Sequence, residues 1–143
     1  MRIGWKQQYE IGIPSIDEQH KKLLSLINTI GEKRDTAPQQ KEIFALLNQL
    51  VQYAEKHFDT EERFMKAVRY PKFLAHQRLH ESFLTNIITF AEQLEKRQPK
   101  VFEQILQFLK EWYINHIGGA DKEYKEYFLS HKSQLLSNFE QKE

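Results

Sequence analysis

At 143 residues, with 21 basic and 20 acidic side chains interspersed and a formal net charge of +1, the chain is sized for one domain around a single core. The balanced charge leaves no basic face for nucleic acid or an anionic membrane, and no run of about 18 apolar residues suits a membrane span. Cysteine is absent, which excludes disulfides, thiolate-bound zinc and iron–sulfur clusters and restricts any metal to His, Asp, Glu, Tyr or water ligands.

Only five glycines and four prolines occur, clustered between long periodic segments, which predicts an all-α fold. Residues 1–14 read as an extended arm anchored by Trp5, Ile11 and Ile13. The first helix begins after Pro14, where Ser15 and Glu18 make a capping-box pattern. Its apolar stripe is Ile16, His20, Leu23, Leu24, Ile27 and Ile30, and the stretch from Gly31 to Pro38 ends it. The second starts near Thr36-Ala37-Pro38-Gln39, a second capping-box pattern with proline in the first turn. Its stripe is Ile43, Leu46, Leu47, Leu50, Ala54, His57, Glu61 and Phe64 or Met65. Tyr70-Pro71 breaks the chain. The third carries Phe73, His76, His80, Phe83, Ile87, Ala91 and Leu94, with Pro99 at the next break. The fourth carries Phe102, Ile105, Leu109, Trp112, Tyr113 and His116, and a shorter helix over about 122–139 follows. Short connections make neighbouring helices antiparallel. The expected architecture is an up-down-up-down four-helix bundle over about 15–121, with an N-terminal arm and a C-terminal segment over about 122–143, in one domain of residues 1–143. The first residues contain no apolar signal-like stretch, so the expectation is a soluble, cytoplasmic protein.

Five of the six histidines and two acids fall on these stripes: His20, His57, Glu61, His76, His80, His116 and Asp121. His20 lies near the start of the first helix, His57 and Glu61 near the end of the second, His76 and His80 near the start of the third, and His116 and Asp121 near the end of the fourth. In an up-down-up-down bundle these positions share one end. His57/Glu61 and His76/His80 are spaced i, i+4, about 40° apart around the axis and on one face. His116/Asp121 is spaced i, i+5, about 140° apart in an ideal helix. Both face inward only if the helix is distorted, and Gly118-Gly119 lies between them, so a π-bulge or loosened turn is expected there. Imidazole with carboxylate suits a transition metal such as iron. Seven ligands are too many for one ion and about right for two. Five histidines and two acids on core faces, with no buried Lys or Arg to neutralise the acids, are costly to satisfy without cations. His131 falls outside the set, on the polar final segment, and is expected to be exposed.

The pattern resembles the hemerythrin family, and within it the single-domain bacterial proteins called bacteriohemerythrins. Nearly the whole chain carries the resemblance, through Trp5 and Gly12, Ile16-Asp17-x-Gln19-His20, His57-Phe58-x-x-Glu61-Glu62, Met65, Tyr70-Pro71, His76-x3-His80-x2-Phe83 and Trp112-x3-His116-Ile117-x3-Asp121-Lys122-x-Tyr124. The resemblance implies two non-haem Fe ions with a bridging oxo or hydroxo group. His76, His80 and His116 would hold one iron, His20 and His57 the other, and Glu61 and Asp121 would bridge them. It implies reversible O2 binding at the open position of the iron held by His20 and His57, for storage, delivery or buffering, and not an enzyme. Beside that stand an O2 or redox sensor acting through an unknown protein partner, and a peroxidase-like di-iron oxidoreductase. A monomer is expected.

Leu23, Phe58, Trp112, Tyr113 and Ile117 lie one to four residues from ligands, on or beside inward faces, and are the candidate walls of the O2 pocket. Apolar walls exclude the water and protons that promote autoxidation. Bacterial relatives commonly have leucine where this chain has Tyr113. Its hydroxyl either enters the pocket or bonds elsewhere with the ring packed inward. The shared helix face of positions 113 and 116 favours the pocket, and a proton donor there would hasten autoxidation.

Overall fold

The computed structural model describes residues 2–36 and 38–141, with side chains as far as His131. Four long helices form a ring of neighbours: α1 (Pro14–Glu32), α2 (Gln40–Ala67), α3 (Phe73–Glu95) and α4 (Val101–Trp112). Each packs on the next, and α4 packs back on α1. The fold is the expected up-down-up-down bundle. No described helix is long and apolar enough to cross a membrane.

The helix ends differ from the capping-box reading. α1 starts at Pro14, and neither Ser15 nor Glu18 caps it. Instead Asp17 reaches back from the first turn, its carboxylate accepting from the Ile11 and Gly12 N–H groups at 2.6 and 3.0 Å. Gly12 turns the chain there at φ +91°, in the left-handed region open to glycine. α2 starts at Gln40 with Gln39 as its cap, so Pro38 precedes the helix and does not lie in its first turn. No side chain caps α2, and Ala37 of that expected motif lies outside the described residues. At the other ends, α2 and α3 each close with an arginine in the left-handed conformation, Arg69 (φ 56°) and Arg97 (φ 57°). The following N–H groups bond back to the helix, Tyr70 to the Met65 carbonyl at 2.9 Å and Gln98 to the Gln93 carbonyl at 3.1 Å. That pattern satisfies the last carbonyls before Pro71 and Pro99 take effect.

The arm is not extended throughout. Gln7–Tyr9 forms one tight 3-10 turn packed on the segment after α4. Ile11 is buried as expected, whereas Trp5 and Ile13 are only partly covered. The deeper anchors are Ile3 and Tyr9. Asn28, buried on α1, accepts from the Ile3 N–H and donates to its carbonyl, both at 2.9 Å, and so pins the start of the arm.

The expected helical distortion spans a full segment. Tyr113–Ala120 is a π-helix, and it runs directly into α5 (Asp121–Gln141), longer than the short final helix read from the sequence. The apolar side chains form two clusters. The larger fills the body of the bundle around Leu23, Ile27, Leu50, Phe83, Ile105 and Leu109. The smaller closes one end, with Ile11, Ile16, Met65, Val68, Tyr70 and Tyr124.

Removing the Asn28 clamp leaves the Ile3 backbone without its partners. Asn28→Ala is therefore expected to cost about 1–3 kcal/mol and to expose the arm to protease. Thermal unfolding and limited proteolysis measure both, and an unchanged midpoint with an intact arm would count against the clamp.

Candidate metal centre

A polar layer separates the two apolar clusters, and all seven candidate ligands lie in it. Along α1 the order is Ile16 in the end cluster, His20, then Leu23 in the body. Along α2 it is Phe58 and Ala54 in the body, His57 and Glu61, then Met65 in the end cluster. Along α3, His76 and His80 lie between Phe73 and Phe83. All seven side chains are buried; His20, His57, Glu61 and Asp121 have no exposed surface at all.

The π-segment makes the i, i+5 pair possible. The Asp121 N–H bonds to the carbonyl of His116, five residues back, so the widened turn stacks the two residues on one face. Gly118 lies under the ring of Tyr9; a Cβ there would meet Tyr9 Cε1 at 3.2 Å. A glycine therefore lets the arm press against the distorted turn.

Among the described residues the ligand atoms form two groups sharing both carboxylates: Glu61, His76, His80, His116 and Asp121, and His20, His57, Glu61 and Asp121. Within them His76 Nε2 is 2.8 Å from Asp121 Oδ1, and His57 Nε2 is 2.9 Å from Glu61 Oε1. His20 Nε2 is 3.1 Å from Asp121 Oδ2, and His116 Nε2 is 3.2 Å from Asp121 Oδ1. None of these nitrogens except that of His116, and none of these oxygens, makes a directed hydrogen bond. Close approach without hydrogen-bond alignment means that the lone pairs point past one another at shared points. Orphaned buried polar atoms in a group are costly unless something else occupies those points. A pair of cations fits this donor set.

Electrostatics leads to the same place. Burial works against charge on His20, yet Asp121 and Glu61 outweigh it and push its pKa up to about 10. Burial alone would raise Glu61, but His57, His20 and His80 hold it well below the usual carboxylate range. Asp121 is raised by burial and by Glu61, and its histidine neighbours reverse this and hold it low. His57, by contrast, is lowered, chiefly by burial. The two acids thus remain anionic and demand positive charge.

A surrounding set of hydrogen bonds aims the imidazoles. The Gln19 amide donates to Thr60 Oγ1 at 3.2 Å, which turns its oxygen to accept from His57 Nδ1 at 2.7 Å. Glu62 accepts from Gln77 at 2.9 Å and from His80 Nδ1 at 2.9 Å. With Nδ1 protonated in both rings, Nε2 presents its lone pair inward, the form a metal requires. Tyr124 donates to Glu61 Oε2 at 2.5 Å. Gln19, Glu62 and Tyr124 stood in the sequence motifs without a role, because side-chain pairs across different helices leave no spacing signal.

The five candidate pocket residues belong to or pack on the body cluster beside the polar layer. Leu23, Phe58, Tyr113 and Ile117 are buried, and Trp112 is partly covered. Phe58 stacks on His80 (3.9 Å, 7°) and Trp112 on His116 (5.0 Å, 12°), so both shield the three-histidine side. Tyr113 departs from the expectation. Its ring packs inward, but its hydroxyl donates to the His20 carbonyl at 2.9 Å and does not enter the pocket. An available backbone carbonyl satisfies a buried phenol better than an apolar cavity. His131 is exposed, as expected.

Known proteins resemble the chain in sequence and fold. The Hemerythrin HHE cation binding domain matches residues 11–128. The chain is 30% identical over 124 residues to a bacteriohemerythrin of Clostridium acetobutylicum, covering 84% of this chain and 96% of that one. It is 28% identical over 133 residues to a bacteriohemerythrin of Stenotrophomonas maltophilia (93% and 86%) and 31% identical over 121 residues to a myohemerythrin of Theromyzon tessulatum (85% and 89%). Solved structures of a wild-type hemerythrin and of a leucine-to-tyrosine mutant superpose with TM-scores of 0.77 and 0.78, at 25% and 26% identity, over 87% of this chain and 95% of each of those. The match across the bundle and the buried His/Glu/Asp layer lead to one conclusion: the chain belongs to the hemerythrin family.

Proposed function

We propose that the chain, as one domain, holds two non-haem irons and binds O2 reversibly, for storage, delivery or buffering. His76, His80 and His116 would hold one iron and His20 and His57 the other, with Glu61 and Asp121 bridging. The observation that carries this reading is the pair of buried ligand groups that share both carboxylates. Two irons held there would supply a two-electron couple for O2.

The chain's own groups do the rest. Imidazoles would supply most of the donors without charge, and Glu61 and Asp121 would offset part of the positive charge that two divalent ions bring. Gln19 and Glu62 fix the tautomers of His57 and His80. Tyr124 donates its hydroxyl hydrogen bond to Glu61 Oε2 and leaves Oε1 without a hydrogen-bond partner among the described residues. Leu23, Phe58, Tyr113 and Ile117 keep water from the layer on the body side.

Elemental analysis of protein expressed with adequate iron is expected to give two irons per chain. Glu61→Ala and Asp121→Ala should lose the coupled pair and its bridge absorption, while His131→Ala keeps both. One metal per chain, or zinc, would count against the assignment. The optical spectrum of the reduced protein should change in air and revert when O2 is removed; a spectrum that does not revert would rule out reversible binding.

Iron removal leaves the converging lone pairs and the two acids uncompensated, so the metal-free chain should melt at a markedly lower temperature than the loaded one. Equal midpoints would mean that the ligands are paired some other way.

Because the Tyr113 hydroxyl is bonded to the His20 carbonyl, Tyr113→Phe should cost about 1 kcal/mol of stability and leave the autoxidation rate as it was. A slower autoxidation in that variant would return the hydroxyl to the pocket.

A further inference from the structure

Tyr124 is fully buried, and its hydroxyl donates to Glu61. Its ring lies 6.3 Å from that of Tyr70, and Tyr70 lies 5.5 Å from Tyr127. Tyr127 is partly exposed and stacks on the exposed His131 at 4.3 Å. Three oxidisable rings thus form an unbroken line from the polar layer to the surface. Each of the two inner rings has a carboxylate to take its proton: Glu61 for Tyr124 and Glu123, at 3.5 Å, for Tyr70. Oxidation of a phenol releases its proton, so an acceptor at each rung decides whether a hole can move along the line.

The other aromatic exits lack this feature. Tyr113, Tyr9 and Trp5 also run to the surface, at 5.6 and 5.7 Å. However, the Tyr113 hydroxyl bonds to a backbone carbonyl, which does not accept a proton. Trp112 stacks on His116, but its buried indole N–H has no hydrogen-bond partner among the described residues. Phe58, Phe83 and Phe108 lead into the body of the bundle, and their rings carry no hydroxyl or N–H proton to release on oxidation.

We propose that Tyr124, Tyr70 and Tyr127 form a relay that carries oxidising equivalents to the surface when a peroxide reaches the metal centre in its oxidised state. There an external phenolic donor refills it. The proposal rests on the di-iron reading above. The peroxide O–O bond breaks and takes up two electrons and two protons, giving two waters. The electrons come one at a time from Tyr127 by way of Tyr70 and Tyr124. The protons of the inner two rings move to Glu61 and Glu123 and return as each ring is refilled. Tyr127 donates to the Arg69 carbonyl at 3.1 Å but is partly exposed, so its proton goes to solvent, and solvent supplies the two that form water. Each Tyr127 radical then takes one electron and one proton from the donor, so one peroxide oxidises two phenols to phenoxyl radicals.

The test uses the iron-loaded protein, oxidised in air, with iron content and spectrum recorded first. Hydrogen peroxide is added with a spin trap, and adducts are located by peptide mass spectrometry. In parallel, oxidation of a simple phenol is followed without the trap. The relay predicts an adduct on Tyr127. Tyr70→Phe, which removes only the middle hydroxyl, should lose that adduct and most phenol oxidation at unchanged iron content. Tyr9→Phe, which interrupts the other line, should keep the Tyr127 adduct. An adduct ending on Trp112 or Trp5, none at all, or an unaffected Tyr127 adduct in Tyr70→Phe would overturn the relay. Wild-type protein without iron would instead overturn the di-iron reading, and the relay with it.

Discussion

Glu61 and Asp121 are fully buried, and every cationic group within 4 Å of either, among the described residues, is a histidine. Two carboxylates out of water carry a desolvation cost of several kcal/mol each unless charge and directed bonds offset it. Imidazoles alone offset it poorly, because each proton gained by one ring places a second positive charge beside its neighbours. His20 and His57 illustrate the conflict: the first is held protonated by the acids while the second is pushed toward neutrality. A pair of cations would resolve it by offsetting both acids while leaving every ring neutral. The four-helix ring, the π-segment and the end cluster all serve to keep these acids dry and facing each other.

That constraint accounts for the layered interior. A polar layer in the middle of a bundle would cut the core in two and weaken both parts. Here it lies close to one end, so the body keeps a continuous apolar cluster along most of the four helices. The exposed side of the layer then needs its own lid, which the arm and α5 provide through Ile11 and Tyr124. Asp17 and Asn28 tie the arm down by its backbone at two separated points. The arm thus belongs to the site's water barrier, although it contributes no ligand.

The convergence of the seven residues was legible because their placement follows from periodicity and antiparallel order, two properties carried by single helices and their connections. Even the departure at His116/Asp121 was readable, since an i, i+5 pair on one face requires a bulged or loosened turn, and the π-helix is the one that forms. The details that escaped depend on contacts between elements. Ser15 looked like a cap, but the helix begins a residue before it and the Ile13 carbonyl takes the Asp17 N–H, while the chain's turn at Gly12 brings the Ile11 and Gly12 N–H groups to the Asp17 carboxylate. Trp5 and Ile13 looked like the anchors by size and hydropathy, whereas Ile3 and Tyr9 fit the spaces that the bundle leaves. Tyr113 shares a face with His116, which fixed where its ring would go, but only the position of the His20 carbonyl on another helix decides where its hydroxyl ends.

The same cross-helix contacts make the two halves of the site chemically unlike. His57 gives its Nδ1 proton to a neutral amide, Gln19, while His80 gives its own to a carboxylate, Glu62. A carboxylate partner increases the basicity of the opposite ring nitrogen more than an amide does. Glu62 is itself held by Gln77 and is only partly exposed, so solvent screens it incompletely. The three-histidine half therefore combines more nitrogen donors with a stronger one, and Phe58 and Trp112 cover two of its rings. The two-histidine half has fewer donors, a weaker partner and, among the described residues, no ring stacked in parallel on its histidines. On the proposed assignment, the first half holds its ion firmly and the second is the one left able to take a ligand. Both halves share the same two carboxylates, so on that assignment a change of charge at the open half would reach the other through Glu61 and Asp121.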